Sequence, residues 1–511
     1  MTAELIFQDV AFSGAEIDER AARLAGGLAR LGVRDGDVVA VMLRNDPAFI
    51  EIIQACRIAG SYYCPINWHF RAEETAHILR DSAARVLFVH EDLLPEIEDG
   101  LPAGLTVIVV PRFPARSVDG PVPDAVDYRQ WLEAQSPYVG PPRTPRGHMV
   151  YTSGTTGRPK GVLRKPVPGE DRARALARMH PVIELAWGIR PGVRAMVPAP
   201  LYHSAPSSFT AMAMQDAEAL VLTPRFDAEE TLALIERHRV DTLYLVPIMF
   251  IRLLRLPEAV RQSYDLASVR FVASTGAPCP PAVKQAMLDW WGPVVHETYA
   301  SSETGMITVQ DPESARRKPG SVGRALGDAE IRIVDEDGRE CAPREPGMIY
   351  CRQPAFSDFT YANQPEAREA AGLGHLATVG DIGYLDEEGY LYVCDRASDM
   401  VISGGVNIYP AEIEHVLSEL PGVADSAVFG VPDEEYGESL VAAVQPEAGR
   451  VVDADTVRRH VAGRLAGYKT PRAVHFLEAL PREDSGKVAK HRLRQRLYGE
   501  KRGFAAEGGV G

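Results

Sequence analysis

The chain has 511 residues, 45% of them hydrophobic and 24% charged, which suits a globular protein with a sizeable core and more than one domain. Its formal net charge of −15 argues against extended nucleic-acid binding, which needs a basic face. That charge leaves room for a local basic pocket around a small anion.

In chain order, Met1–Val10 carries Glu4 and Asp9 and lacks the basic-then-apolar build of a secretory leader. Ile17, Ala21, Leu24, Leu28 and Leu31 recur on one helical face, with Gly32 as the stop. Val38–Leu43 is a short apolar run that predicts a buried strand. Asn45 or Asp46 caps a predicted helix with Pro47 in its first turn, ending near Gly60. A helix over Ala72–Asp81 and a strand over Val86–Val89 follow. This βαβα rhythm predicts a parallel sheet covered by helices. Pro and Gly thicken between Pro111 and Pro145, the look of a surface connection.

A second alternating stretch spans Ala195–Val309. Ile331–Val334, Met348–Cys351 and Tyr390–Val393 then read as short strands, separated by turn signals such as Asp337-Gly338 and Glu388-Gly389. From about Met400 the pattern changes to a helix over Pro410–Leu420, a strand over Ala427–Val431, a helix over Ala454–Leu465 and a basic end, Gly486–Arg502. The expected fold class is α/β. Residues 1–397 form a large N-terminal domain with doubly wound parallel-type sheets and a small β-rich subdomain; residues 399–511 form a smaller α+β C-terminal domain. No apolar run is long enough for a transmembrane segment, so a cytoplasmic location is expected. The six cysteines (Cys56, Cys64, Cys279, Cys341, Cys351, Cys394) are scattered, without C-x-x-C or a Cys/His cluster. They suggest neither zinc site nor disulfide framework and fit a reducing compartment.

Tyr151-Thr-Ser-Gly-Thr-Thr-Gly-Arg-Pro-Lys-Gly161 carries the strongest chemical signal. Its glycines let the backbone approach an anion closely, and successive N–H groups can form a concave anion site. Four hydroxyl side chains, Arg158 and Lys160 add donors and positive charge. It is not a Walker A loop, because Arg158 and Pro159 follow Gly157 where that pattern needs Lys and Ser or Thr.

The segment resembles the signature loop of the adenylate-forming (AMP-binding) superfamily, in its acyl-CoA synthetase branch. Further motifs follow in the family's order: Pro200-Leu-Tyr-His203, Ser274-Thr-Gly-Ala-Pro278, Tyr299-Ala-Ser-Ser-Glu303, Thr378-Val-Gly-Asp-Ile-Gly383, Asp395-Arg-Ala-Ser-Asp399, Ser403-Gly-Gly-Val-Asn-Ile-Tyr-Pro-Ala-Glu-Ile-Glu414 and the Gly486-Lys487 stretch. Taken singly, each has a bland reading: Glu303 as a surface acid, His203 as a structural histidine, Lys487 as one exposed lysine among many. The ordered set is what carries the resemblance.

By that resemblance, Thr152, Ser153, Gly154, Thr155, Thr156, Gly157 and Lys160 hold the phosphates of ATP. Gly276, Ala277 and Pro278 pack beside adenine, Tyr299 lies against it, and Ser302 replaces the usual Thr near the α-phosphate. Glu303 helps hold Mg²⁺, a role its chemistry suits, since a carboxylate beside a triphosphate makes sense mainly as a metal ligand. Asp381 takes the ribose hydroxyls and Arg396 lies near ribose and phosphate. Ser398 stands at the interdomain hinge, where Asp or Lys is usual, and Ala300 replaces a usual Gly. Gly404 and Gly405 lie along the pantetheine arm of CoA, and Lys487 is the catalytic lysine. His203, counted with Lys487 as catalytic, lines the acyl site with Ser204, Ala205, Ile248, Met249, Ser274, Ala277, Ala300 and Met306.

The implied activity is that of an acid:CoA ligase. ATP activates a carboxylic acid as an acyl-adenylate, pyrophosphate leaves, and the acyl group passes to CoA. The apolar pocket with small polar edges suits a medium- or long-chain fatty acid or an aromatic or hydroxycinnamic acid. Two alternatives stay open: a free-standing adenylation enzyme that loads a carrier protein, and a non-catalytic acyl- or nucleotide-binding relative. A homodimer is also left open.

Overall fold

The structure is a computed structural model. It describes residues 2–113, 126–152, 159–169, 171–397, 399–403, 406–433, 435–482 and 488–499, with Asn407 by its backbone alone. Its contacts divide the chain into two units: Met1–Arg332 with Tyr350–Val379, and Ile333–Ile349 with Gly380–Gly511.

The first unit is built on two parallel sheets and a small antiparallel one. The first sheet has five strands, in the order Tyr62–Pro65, Val38–Met42, Val86–His90, Thr106–Val110, Val126–Asp127. Every neighbouring pair is parallel, and Val38–Met42 is buried along its whole length, as a strand covered on both faces must be. Helix Gly14–Arg30 starts at a capping box between Ser13 and Glu16 and buries Ile17, Ala21, Leu24 and Leu28. Leu31 departs from the predicted stripe: the helix stops at Arg30, and Leu31 is its 38%-exposed cap. Helix Pro47–Ala59 starts where Asp46 accepts from Ala48 N–H at 2.9 Å and ends at Gly60 in the left-handed region, φ +66°.

The stretch from Pro111 to Pro145, read as surface connection, is partly structural. Its Val126–Asp127 strand joins the five-stranded sheet, and the helix Tyr128–Glu133 buries Tyr128 and Leu132. The buried Tyr128 hydroxyl donates to Glu51, a partner far away in sequence and so invisible to local patterning.

The second sheet has seven strands, in the order Val295–Glu297, Phe271–Ser274, Thr242–Leu245, Arg194–Val197, Ala219–Leu222, Glu4–Phe7, Val10–Phe12. All pairs are parallel except the last, a hairpin. The third sheet is antiparallel, with Lys160–Arg164 between Phe359–Tyr361 and Val150–Thr152.

The second unit holds the antiparallel strands Asp381–Leu385 and Leu391–Arg396, and Gly347 and Met348 pair with Gly383 and Ile382. A further sheet runs Val406–Ile408, Val401–Ser403, Gly437–Pro446, Val423–Asp433, with Ala473–Phe476 parallel to Gly437–Pro446. Helices Pro410–Ser418 and Ala454–Ala462 bury Ile413, Leu417, Val457 and Val461 in this unit's core. The α/β class and the large-plus-small organisation agree with the sequence reading. Among the described residues no helix is long and apolar enough to cross a membrane. Cys56, Cys64, Cys279 and Cys351 are buried, and all six cysteines are free.

Candidate active site

In an open parallel sheet, ligands meet the loops that leave the carboxyl ends of the strands. The seven-stranded sheet sends its sequence-predicted residues there. His203 follows Arg194–Val197, Ile248 and Met249 follow Thr242–Leu245, Gly276–Pro278 follow Phe271–Ser274, and Tyr299 follows Val295–Glu297. His203 caps helix Ser204–Asp216, and its ring lies 4.3 Å from that of Tyr202. Ser204, the first residue of that helix, and Ser302 share a hydrogen bond of 2.9 Å between their hydroxyls, joining two predicted site residues.

The turn carrying Gly276 and the segment leading to Tyr299 are fastened together. Gly276 has φ +90°, a conformation that glycine adopts without strain. Thr275 Oγ1 donates to the Thr298 carbonyl at 2.8 Å, and Thr298 N–H donates to the Ser274 carbonyl at 2.9 Å. Below them Glu297 accepts from Cys279 N–H at 3.1 Å, and the buried Lys284 ammonium bonds both Glu297 and Gln310. Ala300 pairs with Met306 in a short antiparallel bridge. Met249, Ser274 and Met306 are buried; Ser204, Ala205, Ile248, Ala277 and Ala300 are half-buried; Gly276 and Pro278 are exposed.

The antiparallel sheet frames the predicted phosphate loop, since Thr152 ends one strand and Lys160 begins the next. Gly161 sits where an added Cβ would lie 2.8 Å from Met149 Cε and 3.0 Å from Tyr151 Cζ. Tyr151 donates to Asp81 Oδ2 at 2.7 Å, which anchors the near side of the loop. Lys160 Nζ lies 5.4 Å from the centre of the Tyr361 ring. Glu303, 7% exposed, is met at Oε1 by Thr152 Oγ1 and by Tyr361 OH, each at 3.3 Å. Arg164 donates to the carbonyls of Ser302, Glu303 and Ser357 at 3.0, 2.9 and 2.7 Å. Burial lowers the Arg164 guanidinium to about 10, against the opposing pull of Glu303 and Asp358, so it stays a cation at neutral pH. Burial, with the charge of Arg164 added, pushes the His148 imidazole down to about 4, so that ring is neutral.

Arg164 and Tyr361 were missed by sequence reasoning, because the groups they hold lie far along the chain. Among the described residues no group of three or more His, Cys, Asp and Glu is placed so that it could hold a metal ion by itself. Ser153, Gly154, Thr155, Thr156 and Gly157 lie outside the described residues.

In the second unit, Asp381 and Arg396 face each other across the hairpin, with Arg396 Nε 3.2 Å from Asp381 Oδ1. Asp395 accepts from Arg396 N–H at 2.8 Å and from Ala411 N–H at 2.9 Å, at the start of helix Pro410–Ser418. Burial raises the Asp395 carboxyl to about 6, opposed by the charge of Lys490 and by those two N–H donors. Lys490 in turn pairs with Glu414 at 2.9 Å. Ser398, Gly404, Gly405 and Lys487 lie outside the described residues.

Comparison with known proteins gives this geometry a context. Residues 2–358 match the model of the AMP-binding enzyme family, and residues 412–487 match that of the AMP-binding enzyme C-terminal domain. An indoleacetate–CoA ligase of Aromatoleum aromaticum is 36% identical, over 93% of this chain and 91% of its own. A long-chain-fatty-acid–CoA ligase, FadD13, of Mycobacterium tuberculosis is 32% identical, over 95% and 93%. The crystal structure of ATP-bound MatB from Rhodopseudomonas palustris superposes with a TM-score of 0.84 at 28% identity, covering 98% of this chain and 96% of that one. With both halves of the family pattern present, the chain belongs to the AMP-binding enzymes and is an adenylate-forming enzyme of the acyl-CoA ligase family.

Proposed function

We propose that this enzyme joins a carboxylic acid to CoA in two steps at the expense of ATP. In the first, a carboxylate oxygen attacks the α-phosphorus, the bond to the bridging oxygen breaks, and pyrophosphate leaves. In the second, the CoA sulfur loses its proton and attacks the acyl carbonyl, and AMP departs with the former carboxylate oxygen. Such chemistry asks for positioning and charge stabilisation more than for covalent participation.

The observation that carries the reading is Glu303, a buried carboxylate held by Thr152 and Tyr361 beside the two ends of the phosphate loop. One carboxylate among hydroxyls is a poor cage by itself. It suits Mg²⁺, which keeps waters and takes its other oxygens from substrate phosphates. When bound, Mg²⁺ would neutralise phosphate charge. Thr152, Ser153, Gly154, Thr155, Thr156, Gly157 and Lys160 are assigned to the phosphates, and Gly276, Ala277, Pro278, Tyr299 and Ser302 to adenine and the α-phosphate. Asp381 and Arg396 are assigned to the ribose side, and their mutual pairing shows that their polar groups can share one small volume. Gly404 and Gly405 are assigned to CoA, Lys487 to the adenylation step, and Ser398 to a hinge between residues 1–397 and 399–511.

The acid is assigned to the fatty or aromatic class, entering past His203 into the pocket named above. Relatives acting on indoleacetate and on long-chain fatty acids support both. A hydroxamate-trapping screen over fatty, arylacetic and cinnamic acids decides between them. Trapping with short dicarboxylic acids alone would defeat the assignment.

A further inference from the structure

We propose that Arg164 is a positioning residue that fixes Glu303 for its metal, an inference that rests on reading Glu303 as a Mg²⁺ ligand. The three strands of the antiparallel sheet each send one side chain to the Ser302–Glu303 segment. Thr152 comes from Val150–Thr152, Arg164 from Lys160–Arg164 and Tyr361 from Phe359–Tyr361. Among the described residues, the hydroxyls that reach the carboxylate both meet Oε1. Arg164 acts on the backbone instead. Its Nη2 donates to the carbonyls of Ser302 and Glu303, which bracket the Glu303 Cα, and its Nη1 donates to the carbonyl of Ser357.

One guanidinium therefore fixes the peptides on both sides of Glu303 and ties them to the segment that leads into the Tyr361 strand. The same side chain ends the strand that Lys160 begins, so the far side of the phosphate loop and the carboxylate are held to one sheet. The planar fork matters. A lysine ammonium offers charge but cannot hold three carbonyls in fixed directions. Phe356, whose ring centre lies 5.4 Å from Arg164 Cζ, supports the plane of the fork. Groups that orient a metal ligand without touching the metal change affinity by about 10–100-fold when removed.

The test uses the full chain and Mn²⁺ as the probe, with ATP present and no acid substrate. Mn²⁺ binding is read by water-proton relaxation, and ATP affinity is measured separately in EDTA by calorimetry. Arg164→Met should weaken Mn²⁺ binding about tenfold while metal-free ATP affinity stays within about twofold. Arg164→Lys should fall between Arg164→Met and the parent. Tyr361→Phe, which removes one hydroxyl and keeps the ring, should shift Mn²⁺ binding the same way by a smaller factor. Should Arg164→Met fail to fold, Arg164→Lys carries the test, and parental Mn²⁺ binding in that variant overturns the proposal. Glu303→Gln separates the two levels of the argument. If it weakens Mn²⁺ binding and Arg164→Met does not, Arg164 has no positioning role and the metal reading stands. If Glu303→Gln binds Mn²⁺ like the parent, the metal reading falls and this proposal with it.

Discussion

Burial shifts the titration of single side chains of this enzyme away from their values in water. Asp395 is the case most open to measurement. Burial raises its carboxyl from the usual 3.8 to about 6. A carboxyl with a higher pKa folded than unfolded binds its proton more tightly in the folded chain. The stability belonging to it is complete below about pH 4 and is lost as pH rises through 6. Asp395→Asn removes that titration. Between about pH 4 and pH 7, unfolding free energy should therefore shift in favour of the variant, relative to the parent, by on the order of 2 kcal/mol, trimmed by the solvent that still reaches the side chain. Urea unfolding curves at the two pH values measure it, and a difference constant with pH would show an ordinary carboxyl. The candidate site was partly legible at this scale. Tyr299, Ser302 and Glu303 sit close together in sequence, so their motif showed itself. Arg164 and Tyr361 act on groups far along the chain; Arg164 reaches carbonyls 138 and 193 residues away. No local pattern marks which of the arginines turns inward to do that.

Elements were most legible where periodicity and caps agreed. The Pro47–Ala59 helix is bounded by Asp46 and Gly60, both readable from residue type. The Tyr128–Glu133 helix escaped because its reason for burial, the bond from Tyr128 to Glu51, is tertiary. Asp46 does more than cap: its other oxygen accepts from Phe113 N–H at 3.3 Å and lies 3.7 Å from His90 Nε2. Asp46→Ala should cost about 1–2 kcal/mol, toward the upper end of what a cap contributes, while Asp46→Asn should cost less. Chemical denaturation of the two variants checks this. Equal loss in both would place the effect in the carboxylate charge and not in the cap.

At the scale of the whole molecule, the proposed function divides the two half-reactions between residues of the smaller C-terminal domain. A lysine from the smaller domain serving one step, and glycines from that domain serving the other, would require domain motion to gate the cycle. Lys487→Ala should then remove most acid-dependent adenylation and largely spare thioester formation from supplied acyl-adenylate. Equal loss in both half-reactions would contradict alternation. The family was legible across the chain because its motifs are short, ordered and rich in glycine and charge. The acid was not, because an apolar pocket is specified by shape, which composition does not encode.

Ligation of an acid to free CoA through an adenylate can be tested in one assay of the full chain. ATP–pyrophosphate exchange is followed over the acid panel, then CoA is added and AMP and thioester are counted. Exchange should depend on a fatty or aromatic acid, followed by AMP and acyl-CoA in equal amounts. Exchange that stays acid-independent, or an adenylate that free CoA fails to discharge, would contradict it.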